Sequence, residues 1–101
     1  MSKQVFIDKA NNIKLIATDI DGVWTDARMY YTENGEYMKS FSTYDGMATG
    51  LVKEHNIEIA ILTSENSKIV TARAKKLGIK FVYINEKEKL LRIKYLCNRL
   101  N

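Results

Sequence analysis

Residues 13–26 read Ile-Lys-Leu-Ile-Ala-Thr-Asp-Ile-Asp-Gly-Val-Trp-Thr-Asp, an apolar run that ends in two closely spaced carboxylates. The run from Ile13 to Ala17 predicts a buried strand, which stops where Asp19, Asp21 and Gly22 begin. Side chains at positions i and i+2 of an extended chain leave the same side of the backbone, so Asp19 and Asp21 can converge on one reacting group. Two such acids, followed by a glycine that lets the chain turn, indicate a carboxylate that accepts a phosphoryl group.

The length and composition are typical of one globular domain. The chain has 101 residues, of which 46% are hydrophobic and 28% charged, and we expect a single domain over residues 1–101. No apolar stretch reaches the roughly 18 residues that span a bilayer, and the first residues lack the apolar core of a secretory signal. The single cysteine, Cys97, favours a reducing, cytoplasmic location, and its helical spacing predicts a buried thiol.

Charge is unevenly distributed along the chain, whose formal net charge is +4. Residues 1–65 contain six Lys or Arg and ten Asp or Glu, whereas residues 66–101 contain ten and two. Either these charges lie on solvated helix faces, or the acidic residues hold a cation while the basic residues attract an anionic substrate. Nucleic acid is a less favoured partner, because the basic segment has neither a recognition motif nor an aromatic stacking platform.

Predicted strands and helices alternate along most of the chain. Core strands are expected at residues 13–17, 57–62 and 80–84, and helices at 45–56, 67–77 and 86–100. The second helix is expected to begin after Asn66 or Ser67 and to end at Gly78. Strands separated by helices of this length predict an α/β fold, in which a parallel sheet is joined by right-handed crossovers.

Helical spacing also predicts which side of each helix faces the sheet. The apolar side of the first helix comprises Met47, Leu51 and Val52, and that of the last comprises Leu90, Ile93, Cys97 and Leu100. His55 is expected to interact with the carbonyl groups at the end of its helix.

A β-hairpin insertion is predicted within residues 27–44. Asn34-Gly35 is the turn signal, because both residues tolerate positive φ. Aromatic side chains lie on both faces of this ribbon, namely Tyr30, Tyr31, Tyr37, Phe41 and Tyr44. A two-stranded ribbon is marginally stable alone, so the hairpin packs either on its own domain or against another subunit.

In parallel sheets, ligands bind at the carboxyl ends of the strands. This rule selects the segments 19–21, 63–65 and 85–89, which follow the three predicted core strands. Each of these segments contains carboxylate, hydroxyl or ammonium groups that a phosphate site would use. The topology and the chemistry therefore indicate the same edge of the sheet.

The segment Asp19-Ile20-Asp21-Gly22-Val23-Trp24-Thr25-Asp26 resembles the first motif of haloacid dehalogenase (HAD) superfamily phosphatases. Tyr44-Asp45-Gly46, Ile61-Leu62-Thr63 and Lys87-Glu88-Lys89 follow in family order. More narrowly, the chain resembles the small capless branch that acts on 3-deoxy-D-manno-octulosonate (KDO) 8-phosphate, or on 9-phosphates of the nine-carbon sugars KDN and N-acetylneuraminate. This resemblance, which extends from about residue 13 onward, implies a Rossmann-like three-layer sandwich with a parallel sheet and a protruding β-hairpin.

The resemblance also implies a magnesium ion and a set of catalytic residues. Asp19 would be the nucleophile that forms an aspartyl-phosphate, and Asp21 would be the general acid and base. The Asp19 carboxylate and the Asp21 backbone carbonyl would be metal ligands. Thr63 would donate a hydrogen bond to the phosphoryl group, and Lys89, rather than Lys87, would neutralise a phosphoryl oxygen.

Substrate recognition is assigned by the same resemblance to Thr25, Asp45, Gly46, Ser64 and Glu65. The octulosonate enzymes usually have Gly-Arg where this chain has Ser64-Glu65. That difference, together with Trp24, favours a nine-carbon 9-phosphate, with KDO 8-phosphate as the second candidate. Alternatively, Ser64 and Glu65 form the N-terminal turn of the next helix, where an acid is favourable.

One departure from the family pattern suggests a second hypothesis. The family's fourth motif, an acidic cluster on a further strand, has no counterpart before Asn101. We therefore expect a domain that is incomplete at its C-terminus, with an unpaired edge on the first strand. The alternative to a phosphatase is a non-catalytic oligomerisation or regulatory domain of the same fold. In the family, such hairpins associate in homotetramers, so a homotetramer is expected.

Overall fold

The computed structural model describes residues 2–100 and contains a parallel sheet, a separate hairpin and helices on both faces of the sheet. In chain order the elements are α1 (Lys3–Asn11), β1 (Leu15–Thr18), β2 (Tyr30–Thr32), β3 (Gly35–Met38), α2 (Thr43–Glu54), β4 (Glu58–Leu62), α3 (Lys68–Leu77), β5 (Phe81–Tyr83) and α4 (Lys89–Leu100). The predicted alternation of strands and helices is confirmed from β1 onward.

The central sheet is parallel, with the strand order β1-β4-β5. Ala60 of the middle strand lies opposite Ala17 of β1 on one side and Phe81 of β5 on the other. Within residues 2–100, β1 pairs with β4 alone, and Ile16 on β1 is 39% exposed. The expected unpaired edge is therefore present in the described part of the chain.

The middle strand β4 separates two hydrophobic clusters, because successive side chains point to opposite faces. The cluster on the side of α2 and α3 contains Ile20, Ile59, Ile61, Val70, Ala74 and Ile79, with Val52 and Leu77 packed against it. The cluster on the side of α4 contains Ala60, Leu62 and Leu96. Helices thus cover both faces of the sheet, which confirms the predicted three-layer sandwich.

The hairpin lies within the predicted range 27–44, but its turn differs from the prediction. Thr32 pairs with Gly35, so Glu33 and Asn34 form the two-residue loop. Gly35 has φ of 110°, whereas Asn34 is not among the residues with positive φ. The two loop residues therefore lie one position before the predicted Asn34-Gly35 pair, and within that pair only Gly35 has a positive φ.

The predicted apolar face of α4 was correct only in part, because Ile93 packs against the cluster around Leu96 and Leu100 is half-buried. Leu96 is fully buried, whereas Leu90 is 66% exposed and Cys97 is exposed. The apolar side chains of this helix are distributed around much of its circumference, so spacing alone does not select one stripe. The stripe centred on Leu96 faces β4, and the thiol of Cys97 faces outward.

The predicted face of α2 was also correct only in part, because Val52 packs against the main core as expected. Met47 is 70% and Leu51 54% exposed, while Thr49 is buried against the sheet. The Thr49 hydroxyl donates a hydrogen bond to the Gly46 carbonyl at 2.7 Å, so its burial leaves no polar group unsatisfied. A polar residue therefore occupies a core position that the apolar pattern assigned to its neighbours.

Helix ends follow local chemistry. Gly78 ends α3 with φ of 70°, as predicted, and His55 Nδ1 lies 2.9 Å from the Leu51 carbonyl oxygen at the end of α2. The last helix begins at Lys89 rather than at residue 86. Glu86 instead accepts a hydrogen bond from the Arg92 guanidinium at 2.9 Å, which lowers the pKa of the Glu86 carboxyl.

The N-terminal helix α1 was not predicted. Ser2 caps it by accepting a hydrogen bond from the Val5 amide at 3.2 Å, but no residue of the helix is buried. Its apolar side chains therefore gave no core-facing stripe to detect. Each helix described between residues 2 and 100 is too short or too polar to span a bilayer.

Candidate active site

A tight loop after β1 carries the two acids. Gly22 has φ of 82°, which glycine adopts without strain. The Ile20 carbonyl accepts hydrogen bonds from the amides of Val23 and Trp24 at 3.0 and 2.9 Å. Because the Ile20 side chain is 1% exposed, the residues on either side of it are fixed at the carboxyl end of the strand.

Asp19 is held by two donors and remains accessible. Its Oδ1 accepts a hydrogen bond from the Ile20 amide at 2.7 Å, and its Oδ2 lies 3.1 Å from the Lys89 ammonium. The Asp19 side chain is 43% exposed. Lys89 is the first residue of α4, so the packing of this helix on the sheet brings the lysine beside the acid. The two residues are adjacent, as the resemblance implied.

Asp21 has a different partner. Its Oδ1 accepts a hydrogen bond from the Lys39 ammonium at 2.6 Å. No hydrogen bond from the described residues reaches its backbone carbonyl. Each acid is thus paired with its own lysine, and the sequence reasoning did not predict Lys39. The contact joins residues 18 positions apart, and no local pattern indicates such a pair.

Lys39 is buried between two carboxylates. Its side chain is fully buried, and its ammonium also lies 2.8 Å from Glu36 Oε2. Burial disfavours the charged amine, but the contacts with Asp21 and Glu36 outweigh it, so the pKa of Lys39 is raised. Lys39 therefore remains an ammonium at neutral pH.

Thr63 follows β4 and is 1% exposed. Its hydroxyl oxygen accepts a hydrogen bond from the Glu65 amide at 3.2 Å, which leaves the hydroxyl proton available to an acceptor. The Thr63 amide donates to the Tyr83 carbonyl, and the Thr63 carbonyl accepts from the Glu86 amide. The ends of β4 and β5 are thereby joined, with Ser64 and Glu65 exposed beside them.

Lys87 and Lys89 occupy different environments. The Lys87 ammonium donates to the Ser64 carbonyl at 2.7 Å, whereas the Lys89 ammonium contacts the Asp19 carboxylate. Lys87 therefore stabilises the loop after β4, and Lys89 lies beside the acid. This geometry supports the choice of Lys89, whose role remains a prediction.

Two of the predicted substrate-binding residues have structural contacts. The Thr25 hydroxyl accepts hydrogen bonds from the amides of Gly22 and Ala27, both at 3.2 Å. At Gly46, an added Cβ would lie 3.1 Å from the Arg73 guanidinium, so this glycine permits close packing of α2 on α3. Neither contact tests a role in substrate binding, which stays a prediction for both residues.

Asp45 and Trp24 line an apolar groove of about 210 Å³ between the β1 edge and α2. The Trp24 indole donates a hydrogen bond to the Thr18 hydroxyl at 2.9 Å and packs against the main core. Trp24 therefore supports the strand end. Its use as an indicator of a nine-carbon substrate stays a prediction.

The site offers some of the oxygen ligands that a magnesium ion takes. Within residues 2–100, no three His, Cys, Asp or Glu side chains cluster in a metal site. The Asp19 carboxylate and the unbonded Asp21 carbonyl offer two hard oxygen donors. Magnesium takes about six oxygens and keeps several waters, so these residues fit a largely hydrated ion with two protein ligands. Lys89 would compete for Asp19 Oδ2.

Sequence comparison identifies relatives of this chain, although no family model matches it. The 3-deoxy-D-manno-octulosonate 8-phosphate phosphatase KdsC of Haemophilus influenzae is 40% identical over 81 residues, which are 80% of this chain and 45% of that protein. KdsC of Escherichia coli K12 is 37% identical over 94 residues, 93% of this chain and 50% of that protein. The chain is a homologue of the KdsC phosphatases. It spans about half the length of the curated relatives it matches.

Solved structures of such phosphatases share the fold. The Moraxella catarrhalis KDO 8-phosphate phosphatase, in complex with magnesium, phosphate and KDO, superposes with a TM-score of 0.88 at 33% identity, covering 98% of this chain and 57% of that one. The cobalt-bound enzyme from H. influenzae gives 0.86 at 36% identity, covering 91% and 54%. A putative HAD superfamily hydrolase from Legionella pneumophila superposes with a TM-score of 0.84 at 30% identity, covering 98% of this chain and 58% of that one, so the predicted HAD-like fold is confirmed.

Proposed function

We propose that this protein is a magnesium-dependent phosphatase that hydrolyses the phosphate ester of a 2-keto-3-deoxy sugar acid, with KDO 8-phosphate as the first candidate. The observation that carries the proposal is the Asp19–Lys89 pair at the carboxyl end of β1, with a distance of 3.1 Å. Thr63 lies at the end of the neighbouring strand β4, with its hydroxyl proton available. The homology to KdsC phosphatases supports the same chemistry.

The first step transfers the phosphoryl group to the protein. A carboxylate oxygen of Asp19 attacks phosphorus, the bond from phosphorus to the sugar oxygen breaks, and an aspartyl-phosphate forms. A magnesium ion held by the Asp19 carboxylate and the Asp21 carbonyl would offset the repulsion between carboxylate and phosphate. The Lys89 ammonium and the Thr63 hydroxyl stabilise charge on the phosphoryl oxygens.

Asp21 moves the protons. Its carboxyl group gives a proton to the departing sugar alkoxide and is left as a carboxylate. That carboxylate then takes a proton from a water molecule, whose oxygen attacks the phosphorus of the aspartyl-phosphate. The bond between phosphorus and Asp19 breaks, which releases inorganic phosphate and restores both acids.

The substrate's chain length depends on the segment after β4. The KdsC relatives are named for KDO 8-phosphate, which favours the eight-carbon sugar. A nine-carbon 9-phosphate is the second candidate, because the Glu65 side chain is exposed beside Thr63 and can accept hydrogen bonds from additional hydroxyls or an amide. Ser64, Thr25, Asp45 and Gly46 complete the proposed substrate-binding set.

The test is phosphate release from KDO 8-phosphate and from the 9-phosphates of KDN and N-acetylneuraminate, with glucose 6-phosphate as the control ester. With magnesium present, we expect release at least about a hundredfold faster than with EDTA, because the ion neutralises charge in the transition state. We expect KDO 8-phosphate to be preferred by about tenfold. The absence of magnesium-dependent release from all three sugar-acid phosphates would refute the proposal.

A non-catalytic assembly domain is the second candidate. The hairpin and the start of α2 expose aromatic side chains, with Tyr31 at 60%, Tyr37 at 57% and Tyr44 at 83%. Such side chains are suited to an interface between subunits, and we propose that the hairpin mediates a homotetramer in either case. A chain that is inert toward all the esters, yet tetrameric by light scattering, would favour the assembly function.

The proposal includes a cytoplasmic location, in keeping with the single cysteine.

A further inference from the structure

Lys39 connects the hairpin to the loop of the candidate active site. It follows β3, and its side chain is fully buried although lysine is almost never buried unless it is paired. The Lys39 ammonium lies 2.6 Å from Asp21 Oδ1 and 2.8 Å from Glu36 Oε2. Neither contact involves the nucleophile Asp19, the groups that donate hydrogen bonds to the phosphoryl group, or the atoms expected to bind the metal.

The two carboxylates hold Lys39 in one position. Glu36 Oε2 is itself inaccessible to solvent, and the Glu36 side chain is 14% exposed. Loss of the Lys39 ammonium would leave the Asp21 and Glu36 carboxylates without a compensating charge, which is strongly unfavourable inside a protein. Lys39 is therefore a fixed donor, and its hydrogen bond fixes Asp21 Oδ1.

Ser67 extends this chain of contacts to α3. It occupies the N-cap position of that helix, where a serine hydroxyl usually accepts a hydrogen bond from a backbone amide. Here the Ser67 hydroxyl makes no such bond and instead donates to Glu36 Oε1 at 2.8 Å. Ser67 is 5% exposed, so this bond is shielded from water. The start of α3, the hairpin and the acid loop are thereby joined.

We propose that Lys39 is a positioning residue for Asp21, and that Glu36 and Ser67 hold Lys39 in place. Lys39 fixes Oδ1 of Asp21 and leaves Oδ2, which accepts no hydrogen bond from the described residues, to carry the transferred proton. The inference rests on the proposed function, in which Asp21 is the general acid and base. Lys39 acts through Asp21 and does not touch the substrate.

The first test compares Lys39→Met with Lys80→Met. Lys80 is exposed and precedes β5, at the opposite end of the sheet from the candidate site. We expect Lys39→Met to lower kcat about tenfold to a hundredfold, because small displacements of a reacting group have effects of that size. KM should change less than about threefold, since binding does not use this contact. Lys80→Met should leave both constants unchanged.

A double-mutant cycle separates positioning from general loss of structure. If Lys39 acts through Asp21, adding Lys39→Met to an Asp21→Asn variant should lower kcat by less than about threefold further. If the two effects multiply instead, Lys39 does not act through Asp21 and the proposal is overturned.

A second readout does not require activity. The amides of Val23 and Trp24 bond to the Ile20 carbonyl, so their hydrogen exchange reports on the acid loop. We expect exchange about tenfold faster in Lys39→Met and unchanged in Lys80→Met. An inert parent chain would refute the proposed function, while unchanged exchange in folded Lys39→Met would refute the positioning role.

Two milder variants test the positioning role if Lys39→Met does not fold. Ser67→Ala and Glu36→Gln retain Lys39 and remove, respectively, the hydroxyl and the charge that hold it. Each should accelerate exchange of the same amides and lower kcat about threefold. If both variants leave exchange and kcat at the parent values, Glu36 and Ser67 do not support Lys39 and the proposal fails.

Discussion

Replacing Asp19 with Asn is expected to lower kcat for phosphate release by at least about ten-thousandfold, because loss of a covalent nucleophile removes the reaction path itself. An amide oxygen is a poor nucleophile, and it also lacks the charge that pairs with Lys89 at 3.1 Å. The shape of the side chain is retained. Steady-state kinetics with KDO 8-phosphate and magnesium would measure the loss.

Asp26→Asn is the matched control for this substitution. Asp26 belongs to the same loop, its side chain is 62% exposed, and its ion pair with Arg28 is long at 3.8 Å. Exposed pairs of this kind contribute little, so kcat should stay within about twofold of the parent. If Asp19→Asn retained the parent's kcat, Asp19 would not be the nucleophile.

The second large effect is expected at Lys89, the first residue of α4, and is compared with Lys87, which lies just before the helix. Lys89→Met should lower kcat/KM about a hundredfold to a thousandfold, because it removes a cation that stabilises charge developing on the phosphoryl oxygens. Lys87→Met should lower it less than about threefold, since the Lys87 ammonium donates to the Ser64 carbonyl and does not contact the acid. Both constants are obtained from initial rates of phosphate release.

This pair of variants changes the same chemical group at neighbouring positions, so the comparison controls for lost charge and length. Lys89 is 39% exposed in its side chain, and its replacement leaves no buried partner unsatisfied. Equal losses in the two variants, or a larger loss in Lys87→Met, would contradict the assignment of Lys89 to the site.

Much of the fold could be predicted because apolar runs and strand-end rules are local. The run 13–17 and the run 57–62 correspond to β1 and β4, and the parallel pairing of these strands brings Asp19 and Thr63 to one edge. Lys89 reaches the same edge because α4 begins immediately after the third strand's end segment.

The helix faces were harder to predict, because apolar residues on α4 cover more than one stripe. Spacing allowed both a face with Leu90 and Cys97 and a face centred on Leu96. Only contact with Ala60 and Leu62 of β4 selects the second. Local patterns cannot supply that choice, since it depends on how the helix meets the sheet.

Lys39 could not be predicted for a related reason. In the sequence it resembles any polar residue near the end of a hairpin strand. Its burial depends on how the hairpin packs against the loop of Asp21 and the start of α3. There the Ser67 hydroxyl bonds to Glu36 instead of capping the helix. These contacts join residues 18 and 31 positions apart.

The most direct measurement of the central claim is to trap the phosphoryl group on the protein. The full chain, mixed with KDO 8-phosphate and magnesium and quenched in acid within the first turnover, should carry one phosphoryl group on the peptide that contains Asp19. The same peptide of the Asp19→Asn variant should carry none. Phosphate release by the parent with no phosphorylated peptide during turnover, or with the group on another residue, would contradict the account.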